Sequence, residues 1–367
     1  MASADQFFVQ DRGSSAIGRT LTRIRRDYFK SPLDALISII CLAALAFFIA
    51  AVVRWAILDS VWNAKDGAQC AERGAGACWA VIRARAQLIV FGLYPYTEIW
   101  RAGLGCLILL VTFVLSCIPA FWRLERLVPL WVFSFAIFLA LMYGGILSLP
   151  SVAEVYWGGI ALTFLVFAAM VLAGMPFAFL LALARHSGPP WLSRSAAVFI
   201  DAVRSLPLVT ILFAFWLAVP LIFPAWMHIS TLSRALIGFI VFFACYEAEV
   251  LRGGLQAIGR GQVEAAQSLG MRFWQYQVAV ISPQVFRISL PQTMNLIVGS
   301  FKDTSYIAVL GFFDMVAAAN AAVGTGDWNG QYVEVYLVVA LFYLLFGTSL
   351  SRYGAYLERK MSVENRR

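Results

Sequence analysis

The sequence predicts an all-α membrane protein with about eight transmembrane helices. Three observations carry that reading. Hydrophobic residues make up 61% of the 367 and charged residues only 13%. Mean hydropathy is +0.79. Long runs without a charge recur along the chain. Soluble domains carry roughly 45–50% apolar and about 25% charged residues, and a bilayer core about 30 Å thick takes about 20 apolar residues per helix. A soluble fold with an unusually apolar core is excluded by the recurrence of runs of that length.

The first run, residues 35–53, contains no charge. The second is 102–122 and the third 128–150. The fourth, 156–184, is long enough to tilt. The fifth lies between Arg204 and Arg234, roughly 207–223. The sixth, 235–251, includes Glu247 and Glu249. The seventh starts near Leu290 and is interrupted by Lys302 and Asp303. That interruption suits a broken or re-entrant helix, which a membrane tolerates only where protein or a water-filled path surrounds the backbone. The eighth is 335–351.

The net charge of +8 is a topology signal. Basic residues gather at the ends of the apolar runs, as the positive-inside rule places them. They do not form the aromatic-interleaved patch that nucleic acid requires. Arg19, Arg23, Arg25, Arg26 and Lys30 put the N-terminus in the cytoplasm. Arg123 and Arg126, then Arg185, Arg194 and Arg204, then Arg252, Arg260, Arg272 and Arg287 fall on the same side. An even number of spans returns the tail there with Arg352, Arg359, Lys360, Arg366 and Arg367. The loop 58–101 should lie outside, against the grain of Lys65, Arg73, Arg83, Arg85 and Arg101. Residues 86–93 read as an interfacial helix there, with Tyr94, Tyr96 and Trp100 as interface anchors. No cleavable leader is expected, because the first apolar run is long enough to remain as a span.

Cys41, Cys106, Cys117 and Cys245 sit in or at apolar runs, where a thiol behaves as a small hydrophobe. Cys70 and Cys78 share the polar outer loop and can pair if it faces an oxidising compartment. Two histidines, His186 and His228, and no CxxC or Cys/His cluster give no reason to expect a metal. The chain changes character near residue 155. Residues 1–154 form an N-terminal extension with about three spans and the outer loop, 155–355 hold five spans and a patterned inner loop, and 356–367 form a cytoplasmic tail. No internal repeat stands out.

The informative segment is the inner loop between Glu249 and Pro291. It is too polar to span and too regular for a linker. Residues 262–269 should be helical, with Glu264, Ala265 and Ala266 in the first turns. Gly270 is a suitable stop because glycine accepts the left-handed C′ conformation. A second helix from Phe273 should end before Pro283, which disfavours helix in the residue before it. Two short helices and a sharp turn make a knob. Its alanines permit close approach and Glu264 can set register, the helix-in-groove mode of recognition; an ordinary cytoplasmic helical hairpin is the competing reading.

At these residues the chain resembles a known family. Glu264-Ala265-Ala266, three residues, Gly270, nine residues, then Val280-Ile281-Ser282-Pro283 is similar to the EAA loop of ABC-importer permeases. Ser282 stands where that pattern has leucine. Glu249 to Gly254, Gln256-Ala257-Ile258, Arg204-Ser205-Leu206-Pro207 and Lys302-Asp303-Thr304-Ser305 are similar to the polar amino-acid subfamily, and the long N-terminal extension resembles the larger permeases of general L-amino-acid uptake. The resemblance covers roughly 155–355. It implies a type I ABC-importer core of five helices and a translocation path. The coupling residues would be Glu264, Ala265, Ala266, Gly270 and Pro283, docked on a cytoplasmic ABC ATPase dimer. A second permease subunit in a heterodimer, a periplasmic amino-acid-binding protein and the bacterial inner membrane complete the implied setting.

The chain has no GxxxxGK[ST] and no Gly-Lys pair at all, so it lacks the phosphate-cradling loop of a P-loop ATPase. It is expected to hold no cofactor and to be no enzyme; ATP is used by the partner subunit. Ionisable residues inside a membrane are costly and default to a functional reading, which singles out Glu247, Glu249, Lys302 and Asp303. Glu249 can pair with Lys302, meet a substrate amino group, or stay in a structural ion pair. Asn295, Thr304 and Ser305 can offer hydrogen bonds to a zwitterion near a helix break or simply pack helices. The candidate substrate path is therefore Glu249, Asn295, Lys302, Asp303, Thr304 and Ser305. An ion-coupled secondary transporter with Glu249, Lys302 and Asp303 as coupling groups is the competing reading.

Overall fold

The computed structural model describes residues 28–364 except 74, 75, 146, 147, 225, 228 and 325. Arg19, Arg23, Arg25, Arg26, His228, Arg366 and Arg367, used in the sequence reading, lie outside them. The chain divides into two compact units, Met1–Ala80 and Val81–Arg367.

In the first unit α1 spans Pro32–Val53 and continues as a π turn over Arg54–Leu58. Ser31 caps it, its Oγ accepting from Asp34 N at 3.1 Å, and Pro32 sits where a missing N–H costs nothing. No residue of α1 is buried, as suits a helix apolar all round and surrounded by lipid. The segment after α1 continues through α2 (Gly67–Arg73). Cys70 and Cys78, whose pairing the sequence left open, are bonded. The Trp79 indole donates to Ala56 O at 2.7 Å, and the rings of Trp55 and Trp62 pack against it.

The second unit holds α3 (Ala80–Phe91), α4 (Ile99–Ser116), α5 (Leu124–Tyr143), α6 (Gly159–Ser187), α7 (Pro190–Arg204), α8 (Leu208–Ile222), α9 (Thr231–Gln256), α10 (Arg260–Ser268), α11 (Phe273–Tyr276) and α12 (Ser282–Asp303). The two-residue β1 (Phe313–Asp314), α13 (Met315–Gly324) and α14 (Tyr332–Glu364) follow. A helix stands at each of the eight expected spans. Among the described residues five helical segments are long and apolar enough to cross a membrane, and six if α7 and α8, bent by 111°, count as one span. The expected spans that fall short alone are α8, with 15 residues, and α9 and α12, which carry charges. On α9 a charge is sheltered, since the helix lies against α6, α8 and α12 and Glu247 on it is fully buried; on α12 Arg287 and Lys302 stay exposed.

Several boundaries moved. α4 stops at Ser116, short of residue 122, because Trp122 and Trp131 donate their indole N–H groups to Ser116 O and Oγ at 3.2 and 3.0 Å and fold the chain back. α5 stops at Tyr143. α12 begins eight residues before the expected Leu290. The sequence reading left residues 190–204 unassigned, and they form α7, an amphipathic helix with Ala196 and Ile200 buried and Trp191 and Val198 exposed. Residues 86–93 belong largely to α3.

One apolar cluster joins α4, α5, α6, α8 and α9 through Phe138, Leu162, Leu212, Phe239 and Phe243. A second, beside α10, is built from small residues, with Ala178, Ala182, Ala244 and Ala248 against Ile200 and Val285. Such residues let membrane helices approach closely. Arg101, which broke the topology pattern, is fully buried. It donates to Tyr94 Oη and Pro150 O, each at 3.0 Å, and pairs with Glu98 at 3.2 Å. Its charge is neutralised within this latch, so it does not act as a free topological signal.

Candidate functional site

The knob assembles from its turn. α10 ends in a Schellman motif: Gly270 N donates to Gln267 O at 2.9 Å and Met271 N to Ala266 O at 3.2 Å, with Gly270 at φ +74°. That motif satisfies carbonyls a helix end would otherwise leave bare. Ala266 is buried in one cluster with Leu255, Tyr276, Ile281 and Val285, which anchors α10 to that cluster. Glu264 and Ala265 remain exposed. On the same hairpin Leu269 is 81% exposed, Val278 60% and Trp274 57%. The knob therefore offers a small apolar surface with one acid beside it.

The second helix does not end before Pro283. α11 passes through a π turn at Gln277–Ile281 directly into α12. Proline lacks a donor and its ring crowds the carbonyl four residues back; the wider π turn takes up both. Ser282 closes it, since its N–H and its Oγ both reach Gln277 O, the latter at 2.5 Å. Gln284 Nε2 donates to Val280 O at 2.8 Å. The serine that departs from the leucine of the family pattern thus has a hydrogen-bonding task in this chain.

Glu249 does not pair with Lys302. Its carboxylate takes Arg185 Nη1 at 2.9 Å, Arg252 Nη2 at 2.9 Å and Arg204 Nη1 at 3.5 Å. Arg185 also grips Asp201 on α7 through both Nη atoms, at 2.8 and 3.3 Å, and holds that carboxyl below the usual carboxylate range. Arg204 lies over the Tyr246 ring, 5.4 Å from its centroid. Three guanidinium groups face two carboxylates, so one positive charge is in surplus. Two residues before Glu249, Glu247 Oε1 accepts from Thr293 Oγ1 at 2.6 Å, while Oε2 is buried without a partner.

Beside this cluster a cleft of about 700 Å³ opens between α9 and α12, lined by Arg204, Tyr246, Glu249, Gln292 and Asn295 among others. Of the six candidate path residues it brings together Glu249 and Asn295. Lys302 and Asp303 end α12 and are not on its lining. Thr304 Oγ1 donates to Phe301 O at 2.8 Å and Ser305 Oγ to Lys302 O at 3.0 Å, so these hydroxyls secure the helix break. The sequence reading took Arg185, Arg204 and Arg252 for topology signals and missed their hold on Glu249. The i,i+3 spacing of Glu249 and Arg252 was the available clue.

The profile of the family described as "Binding-protein-dependent transport system inner membrane component" matches residues 174–363. The chain belongs to this family. The permease is 36% identical to the inner membrane amino-acid ABC transporter permease protein YhdY of Escherichia coli (strain K12), with 94% of each chain covered. It is 32% identical to the glutamate/glutamine/aspartate/asparagine transport system permease protein BztC of Rhodobacter capsulatus, again with 94% of each covered. One solved structure, titled as an amino acid ABC transporter with histidines, is 28% identical over 54% of the permease and 88% of that chain, with a TM-score of 0.45. The permease is thus a multi-pass inner-membrane transport subunit and not an enzyme. ATP hydrolysis belongs to a separate subunit, and the ion-coupled reading is not favoured.

Proposed function

We propose that the permease forms part of the translocation path of an ATP-driven amino-acid importer, and that residues 262–283 are the lever by which a cytoplasmic ABC ATPase dimer moves it. The carrying observation is the knob: Leu269, Trp274 and Val278 stand exposed on the same hairpin as Glu264 and Ala265, its turn pinned by Gly270. A groove on the ATPase would bury that surface. Because Ala266, Tyr276 and Ile281 share one cluster with α6 and α9, movement of the knob reaches the spans directly. The bundle then behaves as a two-state element biased by differential binding. Amino acids are the cargo named for YhdY and BztC, and a periplasmic amino-acid-binding protein would deliver them. A second permease in a heterodimer would complete the path, with both termini in the cytoplasm.

Within the cleft, Arg204 makes the loosest contact to Glu249 and is the group freest to meet a substrate carboxylate, with Asn295 and Gln292 as polar neighbours. Lys302, Asp303, Thr304 and Ser305 would act at the break that ends α12. The test is reconstitution in proteoliposomes with the ATPase, the binding protein and the second permease. Uptake of labelled amino acid that depends on ATP and on all components is the expected result. Uptake without the ATPase, or labelling of a cysteine placed at Leu269 from the outer side, would overturn the reading.

A further inference from the structure

A second cavity, of about 390 Å³, lies behind the lever, between the end of α6, the end of α9, the start of α10 and the π turn. Its polar lining consists of His186, Ser187, Gln256, Arg260, Tyr276 and Gln277, and no acidic residue lines it. Three features point one way. Gln277 is 3% exposed and its amide Nε2 is sealed from solvent with no hydrogen-bond partner; a buried donor left unmade is costly and calls for an explanation. Arg260 contributes a fixed positive charge. It also opens α10, a nine-residue helix whose N-cap, Gly259, gives no side-chain cap, so the positive end of the helix stands beside the cavity. Gln277 begins the π turn, a backbone irregularity that recurs at functional positions.

We propose that this cavity binds a small oxyanion, a phosphate or carboxylate group presented from the cytosolic side, held by Arg260 and His186 and by Gln277 once its side chain turns the sealed Nε2 toward the cavity. The donors come from two places. His186 ends the long span α6, whereas Arg260 and Gln277 belong to the lever and its root. Occupancy therefore ties the lever to α6 and resists its displacement, which makes the site a brake on coupling distinct from the cleft between α9 and α12.

The same chemistry can come from a free anion or from a lipid headgroup, and the experiment separates them. Full-length permease is placed in nanodiscs of purely zwitterionic lipid and titrated with inorganic phosphate at constant ionic strength, with thermal unfolding as the readout. Saturable stabilisation is expected. Gln277→Leu, which removes the donor at nearly constant volume, should weaken it about tenfold, the loss of one hydrogen bond to a charged acceptor. Arg260→Gln should weaken it at least as much. A parallel arm uses nanodiscs containing phosphatidylglycerol and no phosphate; stabilisation there that both variants lose assigns the oxyanion to a headgroup and still supports the site. If Gln277→Leu fails to assemble, Arg260→Gln decides alone. No saturable response in either arm, or a response equal in the parent and the assembled variants, overturns the proposal.

Discussion

Replacing Gly270 separates the backbone requirement of the lever from its surface chemistry. The residue sits at φ +74°, where an L side chain costs roughly 1–2 kcal/mol. An added Cβ would meet nothing within 4 Å, so no steric cost is added. If the turn relaxed instead, it would give up the hydrogen bonds from Gly270 N and Met271 N, each worth about 1 kcal/mol. Keeping the turn is thus no dearer than losing it, and Gly270→Ala should cost about 1–2 kcal/mol. Gly270→Asn should cost less, because asparagine enters this region more readily. Every 1.4 kcal/mol is about tenfold in population, so alanine leaves the turn mostly formed. Gly270→Asp tolerates the backbone as asparagine does but puts a carboxylate beside the exposed Leu269. It should insert normally and lose ATP-driven uptake. The assay pairs thermal unfolding of purified variants with uptake in proteoliposomes. A greater stability loss for asparagine than for alanine would refute the backbone argument, and normal uptake by the aspartate variant would refute the coupling role.

Glu249→Gln leaves three arginines without their shared acid. The side chains involved are 13–36% exposed, so the expected loss is about 2–3 kcal/mol, below the roughly 3–5 kcal/mol of a fully buried pair; thermal unfolding compared with Glu249→Asp measures it. Cys70→Ser with Cys78→Ser opens a loop closed across eight residues of sequence and should cost the first unit about 2.5 kcal/mol by loop entropy, read as faster proteolysis between α1 and α3. Asp201 has its carboxyl held below the usual range by Arg185. Its contribution is therefore present above the unfolded-state value, near pH 4, and is lost as pH falls through the lower folded-state value. Asp201→Asn should flatten the acid limb of a stability–pH curve, and an unchanged limb would count against the pairing.

The sequence disclosed most where one residue type has one physical reason to be present. Gly270 announced the turn because few other residues accept its φ, and the apolar runs announced helices because lipid admits little else. Positions with two possible reasons stayed ambiguous. Arg185 and Arg204 flank apolar runs as topology demands, and the same residues clasp Glu249; only the fold reveals the second use. Pro283 predicted a break by local rules, yet a π turn and the Ser282 hydroxyl absorbed it. α7 escaped notice because averaging hydropathy over a span length hides a 15-residue helix with one apolar face. The cleft depends on α9 lying beside α12, a neighbour relation that periodicity does not encode.

Three strands of backbone cross at the start of α6. Gly158 and Gly159 bridge to Phe313 and Asp314, and Gly92 lies close enough that a Cβ on it would fall 2.7 Å from the Gly158 Cα. A Cβ on Gly159 would fall 2.0 Å from Val90 O. Nothing larger than hydrogen fits, so the three segments are riveted there and cannot slide past one another. A body pinned at one end swings most at the other. The 29 residues of α6 reach about 43 Å from that rivet at about 1.5 Å each, so a tilt of about 5° carries the far end about 4 Å. The far end is where Arg185 holds Asp201 and Glu249, and that ionic clasp is consequently the part of the molecule any such swing must strain.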